Sequence, residues 1–237
     1  MSVAYDNSVS TETNAVTTDT LNLTIGSITN GVVVVGLAFY VGGGGVSGIS
    51  VTVGDVSATL LSGSDSGTSN VGQRTLIYYL ATGSTTGSVA VVVSWTFATQ
   101  LAWGATSFSG ADQTTSCQNG NASQNYSSSP SLTVSSATND ISYAVMGAVG
   151  NNVISSPSNT SAWNAYGITT SGAAQYASGA SSTTYTWSIG GISRNWAMSG
   201  CDIIVASGGG GPTAGFILES GTGYIMLEVG TNVLCME

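Results

Sequence analysis

Histidine and lysine are both missing from this 237-residue sequence. Its basic residues are Arg74 and Arg194 alone, against eleven carboxylates, for a net charge of -9. Charged residues make up 5% of the chain, where ordinary globular domains carry about 25%. These absences exclude whole classes of function. Nucleophilic catalysis needs a base beside the nucleophile, and serine or cysteine here has no imidazole or amine to activate it. A paired-carboxylate glycosidase stays formally open, but Asp55, Asp65, Asp112, Asp140 and Asp202 are scattered along the chain. Asp55 and Asp65 sit in turn-like contexts, where aspartate is favoured for local hydrogen bonding. Two arginines release few counterions from a phosphate backbone, and the net charge repels it, so nucleic acid is excluded as a partner. The same charge disfavours an anionic membrane. Without histidine or a CxxC pair there is no zinc site, and the oxygen-ligand loop of a calcium site has no match in the sequence. The expectation is a protein that is not an enzyme and has no cofactor.

Other signals are missing too. No stretch places apolar residues at i, i+3, i+4 and i+7, so helices are not expected. Residues 1–6 have neither the basic nor the apolar region of a secretory signal. The longest apolar run, 32–41, is too short to span a bilayer as a helix. The expectation is a chain made and kept in a cytosol. Its three cysteines, Cys117, Cys201 and Cys235, are then free reduced thiols. The Asn-x-Ser/Thr sequons at Asn22, Asn121, Asn125 and Asn159 stay unmodified in that setting. Gly43, Gly45 and Gly48 match G-x-G-x-x-G, but a strand follows them rather than the helix a dinucleotide site requires, so they read as a glycine-rich loop.

What is present is β pattern. At 42% apolar residues the chain is too hydrophobic for disorder. The run 32–41 is a continuous apolar stretch that reads as a strand. Residues 49–53 and 56–61 flank Gly54-Asp55, a hairpin turn in the inverted order. The segment 74–81 sets Leu76, Tyr78 and Leu80 on one face. In 88–97, Val89, Val91, Val93, Trp95 and Phe97 share a side, which makes Trp95 a core residue. Further strands are read at 101–109, 131–135, 140–149, 183–189 and 194–206. Residues 114–130 and 151–172 read as long exposed loops, with Trp163 and Tyr166 in the second. About ten strands joined by Ser, Gly and Asn turns indicate an all-β fold, a jelly-roll-like β-sandwich.

The clearest boundary is the run Gly208–Gly211 followed by Pro212, a flexible hinge at 208–212 that ends a sandwich domain over 1–207. Beyond it, 213–237 reads as a short C-terminal β-strand arm of three similar segments. Phe216, Ile217 and Leu218 fall in the first, Tyr224, Ile225, Met226 and Leu227 in the second, and Val233 and Leu234 in the third. Each carries a glutamate at or near its end, and glycine-containing turns separate them. Both faces of these segments are apolar, so they want cover on both sides, from their own core, from copies of themselves or from another protein. They are the candidate oligomerisation or docking interface.

The stretch Ser107-Phe108-Ser109-Gly110-Ala111-Asp112-Gln113-Thr114-Thr115 resembles the "S-F-x-G-x-D-Q-T-T" strand and turn of β-sandwich modules in bacteriophage and other viral structural proteins. Val3-Ala4-Tyr5-Asp6-Asn7, the valine-rich strand at 32–41 and Ile77-Tyr78-Tyr79-Leu80 resemble the same family. The arm, with Phe216-Ile217-Leu218-Glu219 and Ile225-Met226-Leu227-Glu228, is similar to short Leu/Glu repeats that close many phage head and tail proteins. The resemblance implies a β-sandwich with a structural role on the virion surface and no catalytic residues. Capsid decoration (cement) protein is the first expectation, with the arm knitting copies into a homotrimer and the major capsid protein or another virion protein as partner. The alternative is a tail or fibre adhesin binding host-surface glycans, for which exposed Trp163 and Tyr166 are the candidate contacts. Packing is the competing role for both aromatics.

Overall fold

In the computed structural model, residues 2–42, 45–67, 72–151, 154–155, 157–207, 227–229 and 232–234 are described. The chain divides into two compact units, Met1–Ala206 and Ser207–Glu237. Among the described residues sixteen strands follow in chain order: β1 (Ala4–Ile25), β2 (Gly31–Tyr40), β3 (Ser50–Val53), β4 (Val56–Ser57), β5 (Thr59–Leu60), β6 (Gln73–Gly83), β7 (Gly87–Ser109), β8 (Cys117–Ser127), β9 (Ser131–Val134), β10 (Ile141–Val149), β11 (Thr160–Tyr166), β12 (Thr170–Ser178), β13 (Thr183–Thr186), β14 (Arg194–Ile203), β15 (Leu227–Val229) and β16 (Asn232–Leu234). Among the described residues there is no helix, so none long and apolar enough to cross a membrane. The first unit is the all-β sandwich that the sequence pattern implies.

Its first sheet runs β4-β3-β7-β2-β6-β5, with β1 also paired to β7; its second runs β11-β12-β10-β14-β8. The apolar run of β2 explains how they stack. Val33, Val35, Leu37 and Phe39 enter one core and Val32 and Val34 another, because side chains alternate across a strand. The second core lies between the two sheets and takes Tyr143 and Val145 from β10, Cys201 and Ile203 from β14, and Trp163 from β11. On its opposite face β10 turns Ala144, Met146 and Ala148 into a third core. Central strands buried on both faces read as near-continuous hydrophobic runs, which is how 32–41 looks in sequence. Each buried Val or Leu contributes roughly 1.5–3 kcal/mol.

The two outer cores need lids, and the chain supplies both. The β9–β13 ribbon brings Leu132, Val134 and Tyr185 over the third core, joined by Trp187 and Ile189. The core on the far side of the first sheet is closed by the sheet's longest antiparallel pair. β1 and β7 pair along their whole length, from Ala4↔Ser109 to Ile25↔Gly87, with register shifts at Thr13/Val16 and Val16/Thr18. Thr18 faces Ser94 and Val16 faces Thr99, so several residues of β7 bulge against one of β1. A bulge bends its strand and strengthens its twist. Beyond the bend Leu23, Ile25, Val91, Val93 and Trp95 share the core of Val33, Val35 and Leu37. Ala15, at the bend, has a φ of 55°, uncommon for a residue with a Cβ.

Several expectations need correction. Residues 114–130 are not a loop: β8 fills most of them and pairs antiparallel with β14. Nor are 151–172, which contain β11 and the start of β12. Strands 88–97 and 101–109 are one bent strand, β7. The inverted Gly54-Asp55 turn forms as read. Val53 pairs with Val56, and both turn residues have positive φ, 56° and 64°, the geometry of a type I′ hairpin.

In the second unit β15 and β16 pair antiparallel, with Leu227 opposite Leu234, Glu228 opposite Val233 and Val229 opposite Asn232. Of the arm residues singled out in the sequence, Leu227, Val233 and Leu234 fall on these strands. Phe216, Ile217, Leu218, Tyr224, Ile225 and Met226 lie outside the described residues, as does Cys235.

Candidate functional site

Strand register assigns the sandwich two ends. At one, β10 finishes at Val149 opposite Thr170, Trp196 pairs with Asn125, and Tyr166 pairs with Ser171. Gly147 and Gly172 approach Ala38 there, which brings the finish of β2 to the same end. This is the loop end. At the other, the root end, Val3 N–H donates to the Asn139 carbonyl and Ala206 N–H to the Gly110 carbonyl. Val205 N–H donates to Asp140 Oδ1 at 2.7 Å. Both termini of the first unit therefore lie at the root end.

The two aromatic glycan candidates fare differently. Trp163 is 4% exposed and sits in the core between the sheets. Its indole Nε1–H donates to the Tyr143 hydroxyl at 2.9 Å, and its ring lies against the glycines Gly104 and Gly36. A Cβ built on Gly104 would come within 2.7 Å of it, and one on Gly36 within 3.1 Å. Glycine at these positions makes room for the indole. Trp163 is thus corrected from a loop aromatic to a core one, because β11 alternates and turns Trp163 and Ala165 inward while Tyr166 faces out. Tyr166 is exposed, and its hydroxyl donates to the Ile154 carbonyl at 3.3 Å. The structure does not bring the pair together on one surface.

Sequence reading missed what the loop end presents. Phe97 is 60% exposed and Ile168 70%, and Val16, Tyr126 and Ile192 are exposed as well. Phe97 belongs by parity with Trp95, but the bulge of β7 after Trp95 breaks the alternation and turns it out. Ile168 rides on the β11–β12 turn. Gln100 holds that turn, its side-chain carbonyl accepting from Thr169 N–H, the Thr169 hydroxyl and Thr170 N–H. Gln100 thus fixes a turn that carries an exposed isoleucine at this end.

Comparisons with known proteins identify no family for the chain: no family model matches it, and no curated protein does. Among solved structures it is similar to dimeric latent PorU from Porphyromonas gingivalis, at 11% identity and a TM-score of 0.30. The match covers 84% of this chain and 20% of the other. The chain thus spans about a fifth of that protein, and a likeness this weak carries no argument.

Two buried titratable pairs lie toward the root end. Asp140 and Asp202 are 4% and 1% exposed. Asp202 Oδ2 accepts from Gln118 Nε2 at 3.1 Å, while its Oδ1 has no hydrogen-bond partner. Burial, then the nearby Asp140 carboxylate, push the Asp202 carboxyl up to about 6 against the lowering effect of the Gln118 bond. This carboxyl pair is closed to solvent, so no glycosidic oxygen can reach it. Among the described residues no three Cys, Asp or Glu side chains gather to hold a metal ion. The second pair is Cys117 and Cys201, both free and buried. Of the two cations, Arg74 grips Asp65 with two bonds, Nε to Oδ1 at 2.9 Å and Nη2 to Oδ2 at 2.6 Å.

Proposed function

We propose that this chain is a structural protein of a bacteriophage particle, a capsid decoration protein that stabilises the head from the virion surface. The observation that carries the reading is the division of labour along the chain. The sandwich closes its three cores with its own strands and presents an almost uncharged polar surface. Read as strands from their sequence, the segments at 213–237 are apolar on both faces and want cover on both sides. Function is then interface area. Copies joined through the arm as a homotrimer, a closed symmetric assembly, bridge junctions between capsid subunits, and each stable contact needs more than about 1,000 Å². No chemistry is required, which fits a chain without histidine or lysine.

The test is solution mass by light scattering, for the full chain and for a truncation ending at Ser207. A trimeric full chain with a folded monomeric truncation supports the arm as the assembly element. Two monomers refute the trimer. Co-sedimentation of the monomer with empty phage heads then decides whether the arm docks on the shell.

A second reading is favoured by one observation. Phe97, Tyr126, Tyr166 and Ile168 are exposed at the loop end, the opposite end of the sandwich from Ala206. A tail or fibre adhesin presents its receptor surface away from its attachment point, and aromatic rings with polar neighbours suit glycan faces. Glycan-array binding that is lost on replacing Tyr166 and Phe97 supports this reading over decoration.

A further inference from the structure

Cys117 is the first residue of β8, opposite Ile203 of β14. Cys201 lies two residues earlier on β14, at the register shift between Gly200↔Asn121 and Asp202↔Gln118. There two residues of β8, Asn119 and Gly120, face one of β14, and Asn119 takes a φ of 53°. Such a bulge adds local twist. It is held from outside as well, since Gly120 lies so close to the Ser62 carbonyl that any Cβ would collide with it. Both thiols lie in the core between the sheets, 3% and 0% exposed, as neighbours on paired strands. Among the described residues β8 has no strand on its outer side.

We propose that Cys117 and Cys201 form a disulfide site that closes when the folded protein meets a small-molecule disulfide, stapling edge strand β8 to β14. The inference stands whether or not the virion reading does. Two facts argue for it over a pair of inert core thiols. The two thiols share one core face of paired strands, Cys117 opposite Ile203 and Cys201 two positions along β14, close enough to interact, so closing the bond takes a local shift, whereas most cysteine pairs in a fold are too distant to bridge. And one of them sits at the start of an edge strand, the kind of element that opens locally at the least cost. Burial and the neighbouring Cys201 raise the Cys117 thiol, so the pair stays reduced while β8 is closed, and it reacts on opening. One cysteine thiolate then attacks oxidised glutathione, breaking its S–S bond and releasing one glutathione thiolate. The second cysteine thiolate attacks the mixed disulfide, forms the Cys117–Cys201 bond and releases the other. The two protons lost from the cysteines pass to the two leaving thiolates, so two protein thiols are oxidised as one glutathione disulfide is reduced.

The test uses the full chain with Cys235→Ser, which removes the third thiol. It is incubated with oxidised glutathione in urea below the unfolding transition, then denatured, alkylated and weighed. The expected product has lost two hydrogens, takes no alkyl group, and takes two after reduction. Cys117→Ser and Cys201→Ser in the same background give a glutathione adduct or one alkylated thiol instead. Cross-linking 117 to 201 closes a long loop in the unfolded chain, so the unfolding equilibrium constant of the oxidised form falls on the order of a thousandfold. Two alkylated cysteines after prolonged incubation, a stable glutathione adduct on the Cys235→Ser protein, or an oxidised form that unfolds at lower urea than the reduced one would each overturn the proposal.

Discussion

Replacing Asp202 by asparagine makes the protein more stable, and only above a defined pH. In the folded state the Asp202 carboxyl titrates near 6, in place of an ordinary value of 3.8. The folded state therefore holds this proton more tightly than the unfolded chain. Below about 3.8 both states are protonated and the site costs nothing. Between 3.8 and about 6 the unfolded chain loses the proton first, and stability falls as pH rises. Above about 6 the full cost is present. The gap between the two values corresponds to roughly 3 kcal/mol, at about 1.4 kcal/mol for each pH unit. Asparagine is close in shape to the protonated acid. Its carbonyl keeps the bond from Gln118 Nε2, and its amide can donate to Asp140. Asp202→Asn should thus gain about 1–3 kcal/mol at pH 8 and about nothing at pH 3.5. For a chain of this size the gain raises the urea midpoint by on the order of 1 M. Urea titrations of both proteins at the two pH values decide the matter. A variant no more stable than the parent at pH 8, or one whose gain is the same at both pH values, refutes the reasoning.

Further tests address the packing and the surface. Gly104→Ala pushes a methyl carbon to within 2.7 Å of the Trp163 ring, so it should cost about 1–3 kcal/mol, as overpacking does, and lower the thermal midpoint in calorimetry. Exchanging Gly54-Asp55 for Asn-Gly puts the preferred residues into the type I′ turn between β3 and β4. It should leave stability equal or a few tenths of a kcal/mol higher, and a loss above about 1 kcal/mol would count against the turn assignment. Phe97→Ser removes an exposed ring from the bend of β7 and should change stability by less than about 0.5 kcal/mol. A large loss by urea titration would mean that Phe97 is buried in an interface in solution.

Where the sequence alternates or runs apolar, it could be read. β2, β10 and β14 are buried on both faces, and their valine, alanine and methionine content announces them. β8 gives no such notice. Gln118, Asn119, Asn121, Ser123, Gln124 and Asn125 form an edge strand whose outward amides brace its neighbour, Asn121 Nδ2 donating to the Thr133 carbonyl of β9. A strand that contributes hydrogen bonds rather than apolar area looks like a loop. β12 is hidden for the opposite reason. Gly172 and Ala174 face the core between the sheets, and Gly172 is small because the sheets approach closely there, near Ala38 and Ala102. β11 alternates only from Trp163 on, with Trp163 and Ala165 inward and Asn164 and Tyr166 outward; a register shift before Trp163 puts Ser161 out as well, and these polar flanks mask the pattern. At the loop end, Phe97 is misread because a bulge resets parity, and nothing in one sequence marks where a ladder slips.

The β1–β7 ladder also sets an order of events during synthesis. Ala4 finds its partner only when Ser109 has left the ribosome, and even Ile25 must wait for Gly87. At about 5–20 residues per second, the first strand spends several seconds without the hydrogen bonds that define it. Its own sequence keeps that wait safe. Between Ala4 and Thr20 it is mostly Ser, Thr, Asn and acidic residues, with few apolar groups to recruit a wrong neighbour. The valine-rich β2 emerges next and has the more dangerous interval, until β6 and β7 close on its two edges. Folding is therefore paced by long-range pairing and should be slow for a domain of this size, with the N-terminal strand zipping along its full length only after the sheet it borders exists.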